Sequence, residues 1–377
     1  MIYLNSAATS FPKAPGVSEE VKSWLDRPFC IAGRNNLTEN SVQLACRKKL
    51  AKLMEVSDPQ NIVLTTNATY ALNLAILGTI GMNPLHVVST VTEHNSVLRP
   101  LFHSQKRNGG KIELIGLDSS GNIDQEAFYK ALKKGPRLII INHGSNVTGK
   151  IHDVSPLFQE AKRMGAITLL DASQTMGLIP VHPKKLYADL VAFTGHKYLL
   201  GPTGTGGLFV NPEIHLEQFF VGGTGIHSDL TFHPEELPGR LEAGTPNLPA
   251  VAGLVSALEW LETNGESFRQ NHFHLSSELC SRFQDCDKIR TFALSPHLSS
   301  GLVSFIIEGV SPEETSFILE KSFGIICRSG FHCAPLIHKH IGSLPNGTVR
   351  LSISGFNTLD ELEKTMKALS KISKCIC

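Results

Sequence analysis

The sequence predicts an α/β protein, with a large domain built on a mixed, mostly parallel sheet flanked by helices and a smaller α+β domain after it. Three observations lead there. Short apolar runs of strand length recur: NIVLT (61–65), HVVST (86–90), IELIG (112–116), LIIIN (138–142), ITLLD (167–171), LVAFT (190–194) and GGLFV (206–210). Helix-like stretches lie between most of them, and such alternation gives a mostly parallel sheet covered on both faces. Beyond about residue 255 the texture changes to long helical patterns mixed with isolated strands.

The elements follow from local chemistry. ATYALNLAILGTI (68–80) is an apolar helix after the first strand. DQEAFYKALKK (124–134) opens on acids and closes on lysines, as the helix dipole favours. VSPLFQEAKRMG (154–165) ends on a glycine suited to a C-cap. A long helix over roughly 250–284 starts the second region. GLVSFIIEG (301–309), the helix SPEETSFILEKSF (311–323), the strand TVRLSIS (348–354) and the helix TLDELEKTMKALSKI (358–372) follow. Thr358 caps that last helix.

Composition narrows the function classes. Lys plus Arg number 35 and Asp plus Glu 34, with no basic run, so no nucleic-acid partner is expected. The N-terminus lacks the pattern of a secretory signal, and no apolar run is long enough to span a membrane. The expected setting is cytoplasmic, where thiols stay reduced. The cysteines are 30, 46, 280, 286, 327, 333, 375 and 377, with no CxxC pair. Cys333, His338 and His340 cluster in CRSGFHCAPLIHKHIG (327–342) but lack a fourth ligand, so no metal is expected. GPTGTGG (201–207) lacks the lysine of a nucleotide loop and precedes a strand, so it reads as a turn.

In an open α/β sheet, ligands bind at the carboxyl ends of the strands. The polar residues just past the predicted strands are Thr69, His94, Asn146, Asp171, Gln174, His196 and Lys197. A lysine, a carboxylate and a helix N-terminus in one place suit pyridoxal phosphate. The aldehyde needs an amine, the ring nitrogen a carboxylate, and the phosphate free backbone amides. Singly, each residue is more simply a solvated side chain or a cap; together at successive strand ends they read as a site. Cys333 remains open among metal ligand, inert buried thiol, disulfide partner and nucleophile. Its turn-rich setting of Gly, Pro, Arg and His argues against a core thiol. Cys327 ends an apolar run and reads as core. Cys375 and Cys377 read as a helix end and a loose terminus.

DASQ (171–174), FTGHKYLLGPTGTGGLFV (193–210), TEHNS (92–96), HGSNVTG (143–149) and RSGFHCAP (328–335) occur in an order that resembles the class V aminotransferase-fold enzymes. The likeness is to their cysteine desulfurase and selenocysteine lyase branch. It runs from YLNSAATSFPKAP (3–15) to VRLSISGFNT (349–358). The resemblance implies the pyridoxal-phosphate-dependent transferase fold of type I. It implies a large domain over 14–255, with 1–13 joining 256–377 in the small domain that carries the cysteine loop. It implies roles as well. Lys197 would form the Schiff base, Asp171 pair with the pyridinium nitrogen and Gln174 bond the phenolic oxygen. His94 would stack on the ring, with Asn146 beside it. Ala68 by its backbone, Thr69, Thr194 and His196 would hold the phosphate. Thr245 would reach the phosphate of a neighbouring subunit, implying a homodimer. Arg350 would grip the substrate carboxylate, with Arg328 close by, and Cys333 would be the nucleophile that becomes a persulfide. His332 and Arg328 would stabilise its thiolate.

The implied reaction is conversion of L-cysteine to L-alanine, with sulfur passed to an acceptor protein, as in iron–sulfur cluster assembly. Selenocysteine lyase and cysteine sulfinate desulfinase share the same residues. An aminotransferase or epimerase would use Lys197 and Asp171 but ignore Cys333. A non-catalytic scaffold would have no need of the cofactor residues.

Overall fold

The computed structural model describes residues 1–27, 41–81, 83–225, 229, 231–284, 288–292 and 299–374. Its strands, in chain order, are β1 (Ile2–Tyr3), β2 (Ile62–Thr65), β3 (Leu85–Thr90), β4 (Gly110–Ile115), β5 (Leu138–Asn142), β6 (Ile167–Asp171), β7 (Leu190–Thr194), β8 (Gly206–Val210), β9 (Ile289–Phe292), β10 (Leu302–Ile307), β11 (Ile325–Ile326), β12 (Arg328–Gly330) and β13 (Thr348–Ser352). The helices are α1 (Val17–Leu25), α2 (Val42–Met54), α3 (Ala68–Ile80), α4 (Asn95–Asn108), α5 (Gln125–Leu132), α6 (Ser155–Arg163), α7 (Pro183–Leu186), α8 (Leu248–Gln284), α9 (Pro312–Phe323), α10 (Ile337–Ile341) and α11 (Leu359–Lys374).

The main sheet has seven strands in the order β2-β8-β7-β6-β5-β3-β4. All neighbours are parallel except β8, which is antiparallel to both β2 and β7. β2 therefore points the same way as β3, β5, β6 and β7, and the carboxyl ends of all five share one edge. Alternate residues of β5 divide between two cores: Ile139 and Ile141 pack with α2, α6 and α8, whereas Leu138 and Ile140 pack with α3. Burial on both faces explains why these strands read as unbroken apolar runs.

The small domain is a four-stranded antiparallel sheet, β12-β13-β10-β9, with its own core of Phe305, Leu351, Leu362 and Leu369. Leu4 belongs to that core, because β1 pairs in parallel with β11. α8 joins the two regions as one 37-residue helix that continues through 255. Its residues up to Phe268 pack in the large core and those from Leu275 onward in the small one. Asp124 and Thr358 cap their helices as expected. α1, α2 and α4 are helices beyond those read from the sequence. CRSGFHCAPLIHKHIG, read as turn-rich, contains β12 and α10.

Candidate active site

At the shared strand edge lies a cavity of about 220 Å³. Lys197 follows β7 and is walled in there, and Asp171 is the last residue of β6. Gly177 lets the backbone just after Lys197 approach closely: it holds φ +97, and a Cβ there would lie 2.3 Å from the carbonyl oxygen of Tyr198. Burial pushes the Lys197 ammonium down to about 8; Asp171 pulls the other way, while Arg350 and Arg328 add to the fall. Asp171 stands opposite Asn142 in the ladder, and its Oδ1 accepts from the Ser173 amide at 2.9 Å.

His94 is the N-cap of α4, its Nδ1 accepting from the Ser96 amide at 3.0 Å. That bond leaves the proton of the neutral ring on Nε2. Burial first, then Lys197, push the imidazole down to about 4, so it is uncharged at neutral pH. Glu93, beside it, ties β3 to β5: its Oε1 accepts from Thr90 Oγ1 at 2.8 Å and the Asn142 amide at 3.0 Å. Burial pushes the Glu93 carboxyl up to about 8.

The opposite wall is the start of α3. Asn67 caps it, Oδ1 accepting from the Tyr70 amide at 2.9 Å. The first-turn amides of Ala68 and Thr69 have no partner within the helix, and both residues line the cavity. Thr194 and His196 complete this end. Gly206 permits the arrangement, because a Cβ there would lie 2.8 Å from both the Asn67 carbonyl carbon and Phe193 O.

Two arginines enter from the small domain. Arg328 and Arg350 are directly opposed across β12 and β13, a pairing of like charges that is unfavourable without an anion. Arg350 is wholly buried, yet its partners are neutral: Asn146 O at 2.8 Å and Asn5 Oδ1 at 3.2 Å. Burial and Arg328 hold its guanidinium down to about 10.

Cys333 does not wall the cavity itself. Arg328, which does, donates from Nη2 to its Sγ at 3.0 Å. His332 and Cys333 hold φ of 50 and 60, a strained pair for residues with side chains. Asn146 Nδ2 and the Asn95 amide pin them, donating to His332 O and Cys333 O at 2.7 Å each. The expectation that His332 assists the thiolate is corrected here. Its ring turns into the protein, Nε2 meeting Thr348 Oγ1 at 2.9 Å. Burial and the arginines push it down to about 2, so it carries no charge. Arg328 is the cation at the sulfur. Cys327 packs against the small-domain core, and burial raises its thiol to about 12. Cys30, Cys286, Cys375 and Cys377 lie outside the described residues.

The structure thus brings Ala68, Thr69, His94, Asn146, Asp171, Gln174, Thr194, His196, Lys197, Arg328 and Arg350 to one cavity. Thr245 lies apart, in a second cavity with Tyr70 and Glu242. Sequence reading missed Ala7, Ala8, Asn142 and Ser173 in the wall, and Asn5 behind it. Asn142, the polar end of LIIIN, was the one signal available. Four buried polar atoms of the wall have no partner: Asn146 Oδ1, Gln174 Oε1, His196 Nδ1 and Arg350 Nε. Buried polar groups are seldom left so, and the arrangement suits a polar, anionic ligand. Among the described residues there is no metal-binding cluster, and no helix is long and apolar enough to cross a membrane.

Comparison with known proteins agrees with this chemistry. The Aminotransferase class-V family model matches residues 2–365. A probable cysteine desulfurase of Pyrococcus abyssi is 32% identical, over 100% of this chain and 95% of its own length. One from Methanothermobacter thermautotrophicus is 31% identical, over 99% and 94%. Among solved structures, the apo cysteine desulfurase of Thermococcus onnurineus superposes with a TM-score of 0.90 at 31% identity, covering 99% of this chain and 95% of that one. With a match over nearly its whole length, the chain belongs to the class-V aminotransferase family.

Proposed function

We propose that this protein is a cysteine desulfurase, converting L-cysteine to L-alanine and leaving the sulfur as a persulfide on Cys333. The observation that carries the reading is the Arg328–Cys333 contact, made by an arginine that lines the lysine–aspartate cavity. A plain aminotransferase has no use for it. The names of the relatives support the same reading.

Pyridoxal phosphate, the cofactor of this family, fits the residues present. Lys197 would hold it at its aldehyde carbon and Asp171 at its pyridinium nitrogen. Gln174 and Asn146, whose buried side-chain oxygens lack partners, would lie beside its ring. The Ala68 and Thr69 amides, Thr194 and His196 would receive the phosphate. The cofactor supplies an electron sink for bonds broken at the substrate. Arg350, lacking any anionic partner among the described residues, clamps the substrate carboxylate through two parallel hydrogen bonds. Lys197 Nζ, held near neutrality by burial, exchanges the proton of the substrate α-carbon. His94 keeps an uncharged ring against the site. Cys333 Sγ, which accepts a hydrogen bond from Arg328 Nη2, gives up its proton and attacks the substrate sulfur. The S–S bond forms as the substrate Cβ–S bond breaks; the electron pair stays with the substrate, and Cβ takes a proton to give alanine.

The same reading makes the enzyme a homodimer in which Thr245 completes the partner's phosphate site, and makes a sulfur-acceptor protein its second substrate. The large domain is then 14–255, and the small domain is 1–13 with 256–377.

The test is alanine and sulfide release from L-cysteine with a reductant, wild type beside Cys333→Ala. Wild type should release both, and Cys333→Ala should retain the bound cofactor but release no sulfide. Sulfide from the variant at the wild-type rate would overturn the reading. Selenocysteine and cysteine sulfinate, run in parallel, rank the substrates.

A further inference from the structure

The chain is nearly balanced in charge, yet the two segments that converge on Cys333 are one-sided. No Asp or Glu occurs from His94 to Ile112, or from Lys321 to Leu359. The segments meet where the Asn95 amide donates to Cys333 O at 2.7 Å. α4 runs outward from that contact. It buries Val97, Leu98 and Leu101 and exposes Arg99, Phe102, His103, Lys106 and Arg107. Spacings of three, four, seven and eight from Arg99 place these five on one stripe of the helix. Phe102 is 44% exposed in the middle of it. Among the described residues, Arg99, Lys106 and Arg107 form no ion pair.

Simpler explanations do not cover the stripe. Lys106 and Arg107 suit the carboxyl end of the helix dipole, but Arg99, about one turn from the amino end, opposes it. The stripe is also too long to serve the thiolate. At about 1.5 Å per residue, Lys106 lies roughly 16 Å along the axis from Asn95. That is about twice the screening length in physiological salt. Cations reaching outward from a sulfur donor, around one exposed aromatic ring, suit a macromolecule that must bring its own group to Cys333.

We propose that the exposed stripe of α4 is the docking surface for the sulfur acceptor, an acidic protein whose carboxylates lie along Arg99, Lys106 and Arg107 while its thiol reaches Cys333. This rests on the desulfurase reading. The transfer balances without an added oxidant. The acceptor thiol gives its proton to solvent and attacks the terminal sulfur of the Cys333 persulfide. A new S–S bond forms, the old one breaks, and Cys333 leaves as thiolate. Phe102 supplies the apolar anchor that a charged interface needs at its centre. A nucleic acid is the less suited occupant, since the stripe is one helix long on a protein of formal charge +1.

The experiment uses the holoprotein with Cys333 loaded chemically by inorganic polysulfide, so that transfer is read apart from turnover. The probes are short peptides with one cysteine flanked by glutamates, glutamines or lysines. The rate of persulfide transfer to each is measured by mass spectrometry at low and high salt. At low ionic strength the glutamate peptide should react about tenfold faster than the glutamine peptide, and the advantage should vanish at high salt. Arg99→Glu/Lys106→Glu/Arg107→Glu should reverse the preference toward the lysine peptide while sulfide release with a small reductant stays unchanged. The milder triple change to Gln should abolish the preference without reversing it. Equal rates for all peptides, or a preference unmoved by either variant, would overturn the proposal. So would inhibition by a thiol-free RNA oligonucleotide as strong as that by the glutamate peptide with its cysteine changed to serine. Failure of sulfide release from L-cysteine, with the peptide preference intact, would instead count against the desulfurase reading.

Discussion

Arg350→Gln removes the buried guanidinium at the substrate end of the cavity while keeping an amide that can donate to Asn146 O. In the structure Arg350 has only neutral partners, Asn146 O and Asn5 Oδ1, and Arg328 stands opposite it. Under the proposed function, a substrate carboxylate is its counter-ion. Two charge-assisted hydrogen bonds at about 1.5–3 kcal/mol each give roughly 3–6 kcal/mol. That corresponds to a loss of roughly 10²–10⁴ in kcat/KM for L-cysteine. Cysteamine, which lacks the carboxylate, isolates the effect. The wild type should prefer cysteine over cysteamine by a similar factor, and Arg350→Gln should shrink that preference to under about tenfold, since the cycle removes one interaction from both sides. The assay is initial sulfide release from each substrate by each protein, with a thermal melt to show that the variant is folded. Burial holds the wild-type guanidinium down to about 10, so the folded state bears a cost for its charge at neutral pH. The variant should accordingly be no less stable. A wild-type-like preference for cysteine in Arg350→Gln would refute the assignment of Arg350 to the carboxylate.

Other outcomes follow from the same geometry. Lys197 in the apoprotein is held down to about 8, so capture of pyridoxal phosphate, followed by absorbance, should quicken as pH rises to about 8 and then level off. A rate flat from pH 6 to 9 would contradict a buried lysine as the acceptor amine. The Glu93 carboxyl is raised to about 8 by burial, so between about 4.5 and 8 the folded protein holds a proton that the unfolded chain gives up, and stability falls as pH rises through that window. Glu93→Gln should flatten that fall in urea melts and leave activity near wild type at pH 7. Glu93→Ala should cost about 1–3 kcal/mol by leaving the buried Asn142 amide without the carboxyl that accepts from it. Among the described cysteines, Cys333 should be alkylated first under native conditions, because burial raises Cys46 and Cys327 to about 12 and Cys280 to about 11. Mass mapping of iodoacetamide adducts checks the order.

Much of this site was legible because its chemistry is local in sequence. LIIIN, ITLLD and LVAFT are buried on both faces, so they stand out as apolar runs, and in a parallel sheet the residue that ends each run falls on the ligand edge. Asp171 and Lys197 were found that way. α1 was missed because it buries little beyond Val17, and α2 because its apolar residues are interleaved with the buried polar Gln43 and Arg47; both pack on α8 in the fold.

Local pattern in the chain was enough to locate the strand ends, the helix start at Ala68 and the polar residues that follow the strands. These depend on periodicity and on which residue follows a strand. The surroundings of the sulfur come from packing instead. The β12–β13 register sets Arg328 beside Arg350 across the 22 positions that separate them. The same packing turns His332 inward to Thr348, leaves Arg328 as the cation on Cys333, and starts α4 at the cysteine loop. Contacts of this kind join segments through pairings between distant strands and loops, and no local spacing in the chain encodes them.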